Sequence, residues 1–569
     1  MSDQLLRPRM ALRVGVTGHR NLNAEVLQSV RPRLRAVLET VQQAAESARR
    51  ASGAAYSDDP VLLRATSPLA EGTDRLLAAE ALSIGYELQC PLPFLRGEYI
   101  QDFAGEASVQ EFDDLLARAI AVVELDGCRA PESAPYETVG RLVLDHCDIL
   151  IAVWDGQQAR GKGGTANIVA MARRRGIPVF WLPTNTNERF LVSADSDEDH
   201  VELTQDGIAK VVHRLVSPPW LSSDDPASVE ATGAYLASLK AGTTLLGLVW
   251  RAFEWVMSRG IKLPPYSSWA EDKTLADPFK PHYRRVNGSA KRMAGLYRGA
   301  FLVNYTLGVC AVFLALLNSV FGSNGWLIAE LVAIAGVFSL VTWVRRNRWH
   351  SRTIDCRYLA EQFRILRYIF PLGLAAPHPL MPAHNQHADV RASWMDWRLR
   401  AILRQTPVPS VRVTPDYLQR CYRLVREEWV VDQIDYHRRN HLKLDTIDKR
   451  LHWLLWAAAS SAAAACILHL FIHGGWLPRW LTLFAAGLPA AAGGFHAISA
   501  QGEFRRLSER SEAMCKSLEV LDKELTKLQA PDRLAARDLR RLAGQVAHVM
   551  LAEVVDWQVL YRKRPPDPL

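Results

Sequence analysis

Hydrophobic positions along this chain fall into two regimes. Over residues 10–185 they come as short runs: ALRVGV (11–16), VLLRAT (61–66), YELQCPLPF (86–94), AIAVVEL (119–125), DILIAVW (148–154) and IPVFWL (177–182). Each run reads as a strand, and the stretches between them have helical length and polarity. This alternation predicts a mostly parallel α/β sheet wrapped on both faces, with ligands bound beyond the carboxyl ends of the strands. Residues 185–235 turn polar, and Asp195, Asp197, Glu198 and Asp199 read as a solvated loop. Residues 236–258 are apolar with a helical pattern and are expected to pack against the sheet domain. The Pro- and charge-rich stretch 260–285 reads as a linker.

The second regime consists of windows with almost no charge. FLVNYTLGVCAVFLALLNSVF (301–321) holds no charged residue, and as a helix it reaches about 30 Å, the thickness of a hydrocarbon core. WLIAELVAIAGVFSLVTWV (326–344), WLLWAAASSAAAACILHLFI (453–472) and WLTLFAAGLPAAAGGFHAI (480–498) follow, paired by short loops into two hairpins. The expected architecture is therefore a Rossmann-like α/β domain followed by an α-helical membrane region with four transmembrane helices.

Charge supports this and sets a topology. The net charge is +8, and basic residues crowd the outer ends of the windows: Arg292 and Arg298, Arg345 and Arg346, Lys449 and Arg450, Arg505 and Arg506. The hairpin loops carry a single Arg between them. The positive-inside rule then places both termini in the cytoplasm, with a multi-pass chain in the cell inner membrane. Because the basic residues flank the spans and do not gather on one soluble face, nucleic acid is not an expected partner. The eight cysteines are scattered without a CxxC pair, which suits a reducing compartment and excludes a zinc ribbon or disulfide framework.

The membrane half reads as duplicated. HYRRVN (282–287) returns as YHRRNH (436–441), and EWVVDQIDYHRR (428–439) as AEVVDWQVLYRK (552–563). The Pro-rich HPLMPAHNQH (378–387) has no counterpart in the second copy. The expected domains are 1–190, the sheet; 191–280, a helical extension and linker; 281–435, the first two-span unit; and 436–569, the second.

Three loops at carboxyl ends of predicted strands could carry chemistry. After the first strand, Gly15 and Gly18 would let the backbone approach a ligand, with Thr17 and Arg20 as donors to phosphate. In Ser67-Pro-Leu-Ala-Glu71-Gly72-Thr73-Asp74, a glycine opens a helix whose free N–H groups suit an anion, while Glu71 and Asp74 suit ribose hydroxyls. In Asp155-Gly156 through Gly163-Gly164-Thr165 a Gly-rich loop again opens a helix. It is not a Walker A loop, since Lys162 precedes the Gly-Gly pair. A tight turn or a plain helix cap explains each loop alone; together they point to a nucleotide-like ligand.

VGVTGHR, SPLAEGTDR and CDILIAVWDGQQARGKGGTANIV, in this order, resemble the SLOG superfamily, a Rossmann-like group whose members bind nucleotides or nucleotide-derived signals. The resemblance covers about 10–185 and implies ligand roles for Gly15, Thr17, Gly18, His19, Arg20, Ser67, Glu71, Gly72, Asp74, Asp155, Gly156, Gly163, Gly164 and Thr165. The hydrolase branch carries PGGxGTxxE; here Ile168 occupies the Glu position, so the chain is expected to bind without turnover, with no catalytic residue, metal or resident cofactor. The helical stretch Arg357-Tyr-Leu-Ala-Glu-Gln-Phe-Arg364 after a hairpin resembles the SLATT group of two-span effectors. Together the two resemblances imply a membrane effector gated by a nucleotide-derived small molecule in prokaryotic anti-phage defence.

A membrane-tethered nucleotide N-glycosidase or hydrolase, or a nucleotide-regulated transporter, is the alternative. Within the spans Glu330 is the single acid and the pore candidate, the other reading being contact with the membrane interface. Small residues in 457–465 and 485–494 favour close helix packing, which suits a homo-oligomer. The aliphatic and Trp stripes of 354–370 and 415–435 read as helix-bundle core.

Overall fold

A computed structural model describes residues 7–129, 133–157, 164–192, 200–219, 242–267, 272–374, 393–472, 474–528 and 534–563. The acidic run at 195–199, the HPLMPAHNQH segment and Gly163 lie outside these residues. All six expected strands form: β1 (Ala11–Gly18), β2 (Leu62–Thr66), β3 (Glu87–Leu92), β4 (Ala119–Glu124), β5 (Ile149–Trp154) and β6 (Val179–Pro183). They are parallel, in the spatial order 6-5-1-2-3-4. The chain leaves β1 in one direction through β2, β3 and β4, then returns to β5 on the other side of β1. That reversal opens a crevice at the carboxyl ends of β1 and β5.

The strand period of two divides the core. Ile149, Ile151 and Val153 face α1 (Ala24–Ala51) and α7 (Gln205–Val216), whereas Leu150 and Ala152 face α5 (Ser133–Asp145) and α6 (Thr165–Arg174). Helices α2 (Thr73–Ser83), α3 (Arg96–Tyr99) and α4 (Glu106–Ala117) complete the crossovers. The polar 185–235 stretch is not all loop. It supplies β7 (Phe190–Val192) and β8 (Val201–Glu202), antiparallel at one sheet edge, where Trp181 and Phe190 pair across the strands.

The apolar windows form four helices long and apolar enough to cross a membrane, as in a multi-pass membrane protein. They belong to α9 (Lys280–Phe321), α10 (Asn324–Asn347), α14 (Asp432–Phe471) and α15 (Leu477–Gly502). Their outer faces carry exposed apolar side chains such as Leu331, Phe338, Leu470 and Phe471, with Trp326, Trp343, Trp453 and Trp476 near the ends. A bilayer accommodates such a belt; water would not. The hairpins join through α9 and α15, where a Cβ on Gly487 would meet the Phe313 ring at 2.6 Å and one on Gly494 would meet Val309 at 2.6 Å. Two of the small residues in 485–494 thus serve packing within the chain.

The hairpins are built alike. In each, a single residue in left-handed conformation separates the returning span from the next helix: Arg348 (φ 49°) before α11 (Trp349–Ile369), and Glu503 (φ 47°) before α16 (Phe504–Lys527). This conformation costs a non-glycine residue roughly 1–2 kcal/mol. A buried aromatic follows each turn, Trp349 or Phe504, anchoring the bend from the far side.

Three expected boundaries shift. Helix α8 (Leu245–Met257) packs on the membrane helix α9 and not on the sheet, because Gly295 and Gly299 let the backbones meet; a Cβ on Gly299 would lie 2.1 Å from the Leu246 carbonyl. The end of the 260–285 linker is core, with Phe279 fully buried beside Phe363 and Phe370. Most importantly, the first two-span unit does not end as a separate body. Its α12 (Trp394–Gln405) lies against β1, and β9 (Val411–Arg412) adds to the sheet in parallel beside β4. The helix α13 (Pro415–Arg423) then runs through a π-helical stretch, Leu424–Val431, into α14. The stripes of 354–370 and 415–435, with the C-terminal helix α17 (Ala536–Lys563), form one core with Ala121, Val123, Leu125, Val139 and Leu142 of the sheet domain.

Candidate functional site

The first two glycine loops interlock at the switch point. The His19 N–H donates to the Val153 carbonyl at 3.1 Å, and the Thr73 N–H and hydroxyl both donate to the His19 carbonyl at 3.2 and 3.0 Å. A Cβ on Gly18 would lie 2.4 Å from Thr73 Oγ1, and one on Gly72 2.1 Å from the Arg20 carbonyl. Gly72 also has φ 80°, so only glycine meets both demands there. The third loop joins through His19, whose Nε2 accepts from the Asp155 N–H at 3.2 Å and lies 3.4 Å from Asp155 Oδ1. The Gln157 N–H, and then His19, hold the Asp155 carboxyl below its usual range. Gly156, at φ 82°, packs on Trp181, which stacks near Trp154 with centroids 4.6 Å apart.

Thr17 and Gly18 end β1, and Gly164 and Thr165 open α6, so both sides of the crevice carry predicted residues. Among the described residues, neither Gly72 at the start of α2 nor Gly164 at the start of α6 supplies a side-chain cap. Such helix starts favour an anion.

Other predicted residues have structural duties. Gly15 sits inside β1, where its missing side chain admits Val143 and Cys147 of the α5 region; a Cβ there would lie 2.8 Å from Val143. The strand alternation turns it away from the crevice mouth. Ser67 is fully buried: its hydroxyl donates to the Asp74 carbonyl at 2.9 Å and accepts from the Leu69 N–H at 3.1 Å. This bond pair builds a turn that holds Leu69 at φ 58°, a strained conformation close to the site. The Glu71 carboxylate is taken by the Ala104 N–H (2.9 Å) and the Ser108 hydroxyl. Burial alone would raise its pKa, but these bonds with Arg75 and Arg20 keep it low. Ile168 is core, packed against α5 at Gly140.

A polar cluster that the motifs did not announce lies beside Arg20. Asp102 accepts from Arg20 at 3.3 Å, from Arg129 at 2.8 Å and from the Tyr136 hydroxyl, while the Arg20 guanidinium sits 5.2 Å from the Tyr136 ring centroid. Burial opposes the Asp102 charge, yet these donors hold its pKa below the ordinary range. Asp74 behaves oppositely. Burial pushes its carboxyl up to about 7, only partly offset by the Ala70 N–H, Arg20 and Arg75. Tyr99, Asp102, Arg129 and Tyr136 follow β3 and β4, so the rule that ligands sit at carboxyl ends of strands was the available signal for them.

Glu124 connects this cluster to the membrane half. As the last residue of β4, it accepts the Arg96 N–H at 2.9 Å through Oε2, at the start of the helix that carries Tyr99. Through Oε1 it accepts from Arg412 Nε of β9 at 2.8 Å. Two residues on, Asp126 Oδ2 accepts the Ala536 N–H at the start of α17. Glu330 lies apart, half-buried in the second turn of α10, and makes no hydrogen bond or ion pair among the described residues. No protein-family model and no curated protein matches this chain.

Proposed function

We propose that the chain binds a nucleotide-derived signal in the crevice between β1 and β5 and transmits its occupancy to the four spans, which act as a pore or disrupt the bilayer. The setting proposed is prokaryotic anti-phage defence at the inner membrane, with homo-oligomers as the working form. The resemblance of the three loops to the SLOG superfamily supports the ligand class. The starts of α2 and α6, which lack side-chain caps among the described residues, offer N–H groups to a phosphate, and the Arg20–Asp102 cluster offers hydrogen-bonding groups for the rest of the ligand. Turnover is not part of this reading, because Ile168 stands where the hydrolase pattern has its acid.

The observation that carries the coupling is the shared Glu124 carboxylate, with one oxygen on the Arg96 loop and the other on Arg412. A ligand that shifts the Asp102 loop must strain or release a strand belonging to the membrane unit. A full swing between 1:99 and 99:1 needs about 5.5 kcal/mol of differential binding, which several subunits could accumulate. The test is mass spectrometry of small molecules released from purified full-length protein. A nucleotide-derived compound should accompany the wild type and be lost in Gly164→Trp and Arg20→Ala. Equal amounts in all three would remove the crevice as the site.

A further inference from the structure

A second cavity, of about 810 Å³, lies where the two hairpin units meet, on the sheet-domain side of the spans. Its walls come from α8, α9, α11, α14, α15, α16 and α17, so both units contribute. Seven of its lining residues are Arg or Lys and four are Glu. Two of those acids are drawn to cations outside the lining: Glu254 to Lys443 at 3.3 Å and Glu503 to Arg506 at 3.1 Å. Glu361 is taken by Arg364 within the cavity, and the largely buried Glu553 feels the charges of Arg510, Arg357 and Arg364, so the lining keeps more cations than acids but Arg357 is not wholly unmatched.

The basic groups are less well matched. Lys291 and Arg357 are exposed to the cavity and make no hydrogen bond or ion pair among the described residues. Arg298 lies over the Trp250 ring at 5.4 Å. His437, only 5% exposed, also lines the cavity, and its Nδ1 has no hydrogen-bond partner among the described residues. Like charges held together in a partly enclosed space repel one another unless an anion joins them. The depth is informative: Arg298 precedes the first apolar window by three residues, and Phe301 and Phe504 line the same cavity. That is the level of lipid glycerophosphates, where basic pockets between membrane helices hold headgroups.

We propose that this cavity binds a phosphate-bearing anion, which would clamp the two hairpin units together at the bases of their spans. A lipid headgroup and a soluble phosphate share this chemistry. This site is separate from the sheet crevice and does not rest on the function proposed for it.

The experiment titrates full-length protein in neutral detergent with dioctanoyl phosphatidylglycerol, with inorganic pyrophosphate, and with phosphate-free dioctanoylglycerol, read by native mass spectrometry. Saturable binding of a phosphate probe is expected, weakened at least about tenfold by Lys291→Gln/Arg357→Gln, as for lost charge-assisted hydrogen bonds. Arg357→Lys should largely restore it. Arg345→Gln/Arg346→Gln removes two flanking charges outside the cavity and should leave binding within about twofold, since exposed charges contribute little. Loss for the lipid alone identifies a headgroup site, and loss for pyrophosphate alone a soluble ligand; either supports the assignment. The single variant Arg357→Gln, at an exposed side chain, serves if the double variant folds poorly. Equal losses in cavity and flank variants, no loss in either, no binding of either phosphate probe, or equal binding of dioctanoylglycerol would each overturn it.

Discussion

Glu124 and Arg412 stand 288 positions apart in sequence, yet a 2.8 Å hydrogen bond joins the end of β4 to a strand from the membrane half. Glu124 is buried and Arg412 largely exposed, so the acid is the fixed partner and the arginine the movable one. Arg412→Ala should therefore leave the crevice intact and loosen β9. Ligand affinity, by calorimetry with the compound released from the wild-type protein, should stay within about threefold, the small effect expected of an exposed ion pair. Amide exchange in 408–414 should rise. A large loss of affinity would place Arg412 in the binding machinery instead.

A second tie lies at the opposite end of the sheet. Asp148 accepts from Arg13 at 3.0 and 3.2 Å and from Arg404 of α12 at 3.0 Å, all three groups being buried. Burial alone would raise the Asp148 pKa, but the two guanidiniums hold it well below its usual range. Arg404→Ala should cost about 3 kcal/mol or more, because it strips one cation from a buried acid. A double-mutant cycle with Asp148→Asn, followed by chemical unfolding, measures the coupling. Additive losses would show that the pair acts only through packing.

Stability should depend on pH in two opposing ways. His146 donates through Nε2 to the Gly373 carbonyl at 2.9 Å, and burial lowers its pKa to about 4 from an ordinary 6.5. Between those values the unfolded chain binds more protons, so this contribution is lost as pH falls from 6.5 toward 4. Asp74, raised from 3.8 to about 7, works the other way: the native state holds its proton, and stability is lost as pH rises between those values. Asp74→Asn should flatten that alkaline decline, by an amount on the order of a few kcal/mol. Thermal melts of wild type and variant from pH 4 to 8 test this. Parallel curves would contradict it.

Within the membrane half, Gly487 and Gly494 admit Phe313 and Val309. Gly487→Leu should force the hairpins apart at a cost of about 1–3 kcal/mol. Denaturation in mixed micelles should show earlier loss of helix contacts. An unchanged profile would mean that α9 and α15 are not tightly packed in the membrane.

The sheet and the spans were legible because each rests on a local pattern. ILIAVW is a buried strand by its unbroken apolar run, and 301–321 spans a membrane by length and lack of charge. Gly18 was legible as a close approach and Gly72 as a helix start, but the sequence could not tell that each approaches the other's loop. Gly15 looked like its neighbours and proved to serve packing, since only strand register decides which face a residue takes. The return of Trp394–Arg412 to the sheet was not legible. A strand of two residues has no periodicity, and α12 reads as an ordinary amphipathic helix until its partner is known. Asp102, Tyr136 and Arg129 were missed because single polar residues scattered over two loops form no motif.

If the spans are gated by the crevice ligand, its binding must change the membrane. The full-length protein is reconstituted into dye-filled liposomes and challenged with the compound that copurifies with it. Wild type should release dye on addition of that compound, Gly164→Trp should not respond because it no longer binds, and Arg412→Ala should bind but release about threefold less, the scale of one exposed ion pair's coupling. Release that is independent of the compound, or identical in all three proteins, would contradict a ligand-gated membrane effector.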